Sequence, residues 1–272
     1  MKTVSIVVAF ALLGVAAAAL CAPPSPTEDR LVKTMALQAF FHAPHPWQLA
    51  IYEPRGDDFL VGRPVRACFT GPQLNHPGAG THCSELYENG SVQGVPRYPC
   101  QRFQSAKLEM LPGPSGTPPR PSLVVRARYV SGTNGELRCT FVWNFDNPST
   151  RKKTFPNNPG YFIRMFQSDT NQTGQQEFMK RGPLAGAFIR VGQVWQPGPA
   201  ESSLESPMRF EIDVYEPAKF GYLKVLSFLS KDRYASNNSD RGTPDPISVL
   251  TPEIERALKA VYPDGKSSVL GQ

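Results

Sequence analysis

Between Glu136 and Phe145 the chain alternates apolar and polar side chains, and this period of two sets the fold class. Leu137, Cys139, Phe141, Trp143 and Phe145 share one face; Arg138, Thr140 and Asn144 share the other, with Val142 the single exception. Successive side chains of a strand point to opposite faces, so this run predicts a half-buried strand. Pro207–Glu216 repeats the pattern, with Met208, Phe210, Ile212 and Val214 against Arg209, Glu211 and Asp213. Weaker runs cover Ala36–Phe41, Trp47–Glu53, Pro64–Thr70, Phe103–Leu111, Leu123–Val130, Tyr161–Gln167, Ala187–Trp195 and Tyr222–Ser230. About ten short strands, parted by Gly, Pro, Asn and Asp clusters, predict an all-β fold, an antiparallel β-sandwich or jelly roll. No crossover helices separate the runs, which disfavours a parallel α/β topology.

Turn chemistry adds local detail. Ser131-Gly132-Thr133-Asn134-Gly135 is a hairpin turn, because Asn-Gly tolerates positive φ, and it pairs Leu123–Val130 with Glu136–Phe145. Thr251-Pro252-Glu253 starts a short C-terminal helix with proline at its first position; Ile254, Leu258 and Val261 share one face and Pro263 ends it. A short turn is expected where Thr27 caps Glu28 to Val32. Pro112–Pro121 lacks the donors a sheet needs and reads as a long surface loop. The mature chain is expected to be one domain over 22–262, with a flexible tail over 263–272.

Residues 1–21 have the form of a cleavable signal peptide: Lys2, an apolar stretch from Val4 to Leu20, then small residues and the prolines Pro23, Pro24 and Pro26. No later window is apolar enough for a membrane span. Cleavage after Cys21 leaves Cys68, Cys83, Cys100 and Cys139, an even number that reads as two disulfides in an oxidising compartment. Three pairings are open. Cys68 and Cys139 lie in strand-like runs and would bridge two sheets, leaving Cys83 and Cys100 to close a Gly- and Pro-rich loop. Asn89-Gly-Ser91, Asn171-Gln-Thr173 and Asn237-Asn-Ser239 are glycosylation sequons in polar, turn-rich stretches.

The net charge of +6 is spread along the chain, with Arg151-Lys152-Lys153 its densest run. Nucleic-acid proteins concentrate charge on one element, so a solvated surface is expected here and no nucleic-acid partner; anionic glycans or membranes would be held weakly. Arg55-Gly56-Asp57 follows Pro54 between two strands and has the form of an integrin-binding loop, or of an ordinary polar turn. His42 and His45, with His76 and His82, lack the spacing and carboxylate of a metal site, and neither metal nor cofactor is expected. Lys180-Arg181 before Gly182 reads as a solvated loop or a dibasic processing site.

A glycosidase-like hydrolase would need two facing carboxylates, and Glu53, Asp57, Asp58, Glu109, Glu211 and Asp213 are candidates. Glu211 and Asp213 alternate with apolar residues, as on any wet strand face. No nucleophile-elbow or phosphate-loop motif is present. Aromatic residues point instead to binding: Trp143 reads as core, whereas Trp47 after Pro46 and Trp195 before Gln196 are the better-placed stacking platforms. The sequence therefore favours a secreted binding protein, of effector or virulence type, for an extracellular or cell-surface protein or glycan. An extracellular hydrolase on a jelly roll and a structural wall or matrix component are the alternatives.

Overall fold

A computed structural model describes residues 29–55, 63–73, 76–88, 98–114, 117–131, 135–146, 159–171, 174–182, 184–194, 208–219, 221–234 and 246–263. The expected leader over 1–21, Thr27, Gly56, Asp57, Asp58, Asn89, Arg151 to Lys153, Trp195, Asn237 and the residues beyond Pro263 lie outside the described residues.

Among the described residues, twelve strands form three antiparallel sheets, each a run of chain neighbours. The first sheet holds β1 (Asp29–Ala36), β2 (Gln48–Pro54), β3 (Arg66–Gln73) and β4 (His76–Glu85). The second holds β5 (Arg102–Leu111), β6 (Arg120–Ser131), β7 (Gly135–Asp146) and β8 (Tyr161–Asn171). The third holds β9 (Gln175–Phe178), β10 (Phe188–Val194), β11 (Arg209–Ala218) and β12 (Gly221–Leu229). Helix α1 (Gln38–Phe41) follows β1, and helix α2 (Pro246–Val261) follows the third sheet.

The sheets stack in chain order, with the second in the middle. Leu123, Val125, Ala127, Cys139, Phe141 and Trp143 turn to the first sheet, where they meet Leu49, Ile51, Ala67 and Phe69. Val124 and Val142 turn the other way, into an aromatic cluster of Phe166, Phe178, Phe188, Tyr215 and Tyr222. Val142, the exception to the alternation, thus marks a second buried face. The far side of the third sheet carries Ile189, Val191, Phe210, Ile212 and Val214, covered by Ile247, Leu250 and Ile254 of α2.

The expected pairing of β6 with β7 forms, with Ser131 opposite Gly135. Four expectations are corrected. Ala36–Phe41 is not a strand: α1 begins at Gln38, and His42 takes φ 50° as the chain turns back. The turn expected near Val32 is part of β1, paired to β2. Pro121 pairs with Met110 inside β6, which a proline can do here because pairing to β7 starts only at Leu123. Helix α2 starts at Pro246, so Pro252 lies in its interior, and Val261 is half exposed instead of buried.

The disulfides are Cys68–Cys83 and Cys100–Cys139. This corrects the expected pairing of Cys68 with Cys139 and of Cys83 with Cys100. The Gly- and Pro-rich stretch around Cys83 is strand β4, which sets Cys83 directly opposite Cys68 with Cα atoms 4.0 Å apart. Cys139 does tie two layers together, but through Cys100, whose N–H and C=O pair with Leu86 and Val65 beside the first sheet.

Candidate functional site

The third sheet does not cover all of the second. Its edge strand β9 has only four residues, paired antiparallel to β10, and its polar side chains reach strands of the second sheet. Gln176 Nε2 donates to the Arg138 carbonyl on β7 at 2.7 Å, and Lys180, just past β9, meets Glu109 on β5 at 2.8 Å. Two adjoining chambers of about 390 and 450 Å³ open along these contacts and share Arg126 and Glu177. Lys107, Arg126, Arg138, Lys180 and Arg181 line them, against the carboxylates Glu109 and Glu177.

Strand register arranges the cations of the floor. Lys107 stands opposite Val124, and Arg128 opposite Arg138. Arg126 lies two residues from Val124 and two from Arg128, so it is the diagonal neighbour of both Lys107 and Arg138. Diagonal side chains on one sheet face are about 7–8 Å apart. The three form a slanted row across β5, β6 and β7, with β9 as the opposite wall. Glu136 holds Arg138 at 3.5 Å and Arg128 at 3.0 Å, and Glu109 holds Lys180. Half-buried Arg126, exposed Lys107 and exposed Arg181 have no ion pair or hydrogen bond among the described residues. Gln176 leaves its Oε1 buried and without a donor in the same wall.

This cleft was missed at the level of sequence because its cations are far apart along the chain. One signal was present: the expected pairing of Leu123–Val130 with Glu136–Phe145 already puts the strands that carry Arg126 and Arg138 side by side. Lys180-Arg181, noted for its dibasic form, is the end wall of the cleft.

Trp47 does not stand exposed as a platform. It is buried, its indole lies against Gly71, and Phe145 and Phe162 meet it edge-on. A methyl on Gly71 would overlap the ring. One edge of Trp47 does reach a shallow groove of about 260 Å³ with Phe69, Pro72, His82 and Tyr161. Arg55 is exposed at the end of β2. Asn171 ends β8, with its side chain outside the described residues.

The carboxylates weighed for hydrolysis are held by basic partners. Glu53 accepts from the Phe103 N–H at 2.8 Å and pairs with Arg30 and Arg102. Arg190 Nη1 joins Glu211 at 2.8 Å to Asp213 at 2.9 Å, and Lys224 and Ser227 take the other Asp213 oxygen. Burial disfavours the Arg190 charge, but the hydrogen bond to Glu211 and the field of Asp213, Glu211 and Asp169 outweigh it and raise its pKa. Asp213 is buried on the side of β11 turned to the second sheet, so it is not on the wet face its alternation suggested. Among the described residues no three His, Cys, Asp or Glu side chains gather as a metal would require. Compared with known protein families, with curated proteins and with solved structures, the chain matches none of them.

Proposed function

We propose that the chain is a secreted binding protein that recognises an extracellular or cell-surface protein or glycan through the cleft between its second and third sheets. The observation that carries this reading is Arg126: a half-buried guanidinium, in a concave site, with no ion pair or hydrogen bond among the described residues. Burying charge without a partner opposes folding, and a ligand that supplies the partner recovers that cost. The disulfides fit an oxidising, non-cytoplasmic compartment, and no helix among the described residues is long and apolar enough to cross a membrane. A cleavable leader, glycans on Asn89, Asn171 and Asn237, and an effector role belong to the same proposal.

Hydrolysis is the weaker reading, because Glu53, Glu109, Glu211 and Asp213 are each tied to a cation. The test is retention of the labelled mature chain on intact cells and on an array of extracellular glycans. Retention that falls at least about tenfold with Arg126→Gln, equivalent to about 1.4 kcal/mol, supports the cleft. Absence of retention on either surface, or retention that ignores Arg126, defeats it.

A further inference from the structure

The row of cations has a direction, and direction restricts the ligand. A lone phosphate or carboxylate needs one tight nest of donors. Here three cations are spread about 7–8 Å apart along a slanted line, with the open chambers running beside them. Resting on the binding reading above, we propose that the cleft takes a linear anionic glycan, whose sulfate or carboxylate groups fall along Lys107, Arg126 and Arg138.

Three features favour a glycan over other polyanions. Single-stranded nucleic acid is held by exposed aromatic side chains on which bases stack, and the one aromatic side chain in the lining, Phe178, is buried. Gln104, Gln175 and Gln176 line the chamber nearest Arg138. Amides supply both donors and acceptors to hydroxyl groups. The chambers are also shallow and polar, suited to a flexible chain that keeps one side in water. Glu177 faces the same row and limits it: the site is suited to spaced anions that pass Arg126 on the side away from Glu177.

The experiment uses the full mature chain and three probes: a heparin octasaccharide, the same oligosaccharide after desulfation, and a thymidine oligonucleotide of matched length. Calorimetry should rank the sulfated probe first and the desulfated one, which keeps its carboxylates, second. Arg126→Gln and Lys107→Gln should each weaken the sulfated probe by about tenfold, and Lys33→Gln, an equal charge loss on the first sheet, should not. Affinity should drop by more than about tenfold between 0.05 and 0.2 M salt, as release of counterions requires. Because no described residue pairs with Arg126, Arg126→Gln should leave the melting temperature unchanged or raised, which separates lost binding from lost folding. Lys107 is exposed, so its variant gives the same answer with no packing at stake. Equal affinity for the oligonucleotide, or a sulfated probe indifferent to both variants, overturns the inference. Retention on cells that needs Arg126 but survives blockade of sulfation and removal of uronates would overturn it while leaving the binding reading intact.

Discussion

Asp213 is 2% exposed and answers Arg190, Lys224 and Ser227 together. A carboxylate so placed is stabilised only while its partners remain, and removing it takes the shared acceptor from Lys224 and Ser227 and leaves the half-buried Arg190 with Glu211 and the Asp169 carbonyl alone. Asp213→Ala should therefore destabilise the fold by about 2–4 kcal/mol. Glu211 shares the same guanidinium, but 41% of its side chain is exposed, so Glu211→Ala should cost less than about 1 kcal/mol. Urea unfolding of the two variants checks this, and equal losses would refute it. From sequence, both residues showed only that they share a strand face. Which layer that face meets depends on a sheet formed elsewhere in the chain, and alternation carries no such information. Trp47 illustrates the same limit: its burial depends on Gly71, Phe145 and Phe162, each from a different strand.

Strands with one buried face were legible where tertiary packing agreed with local pattern. β6, β7, β10, β11 and β12 lie close to their expected bounds, and the β6–β7 turn is read from two residues. β4 was missed because Gly78, Gly80 and Pro77 argue locally for a loop, and only pairing to β3 overrules them. Helix α2 was read late by six residues, since Pro252 resembles a helix start when Pro246 is the true one. Its buried stripe is Ile247, Leu250 and Ile254, and the Ile247 N–H is met by Gln175 Oε1 at 3.0 Å. An interior proline removes a hydrogen bond and crowds the preceding turn. Pro252 is exposed, so Pro252→Ala should relieve this without disturbing the core. Allowing for the freer unfolded chain, the gain should be about 1–2 kcal/mol, read as a higher melting temperature. A lower one would show that the helix is built around its proline.

At the scale of the whole molecule, the boundary between the second and third sheets is both the weakest seam to read and the most informative. It holds an aromatic cluster at one end and the basic cleft at the other. Burial pushes the Tyr215 hydroxyl up to about 12 and that of Tyr222 higher still, from ordinary values of 10.0. The folded chain therefore keeps these protons where the unfolded chain has lost them. Stability is untouched below about pH 10 and falls as pH rises from there towards 12. Titration followed by tyrosinate absorbance and circular dichroism should show both phenols ionising together with loss of the fold; ionisation well before unfolding would contradict their burial. Neither the seam nor the cleft was visible from composition, because Lys107, Arg126, Arg138 and Lys180 meet only after three hairpins have formed.

Because each sheet uses consecutive strands, the layers can be completed in the order in which the chain is made. Growth proceeds from the N-terminus at about 5–20 residues per second. Cys68 and Cys83 are thus together, on finished neighbouring strands, several seconds before Cys139 exists. Cys100 has to wait for it, a free thiol for that interval. The layered order thereby acts as a clock: the local bridge closes first, and the bridge between layers is timed to the arrival of the second sheet.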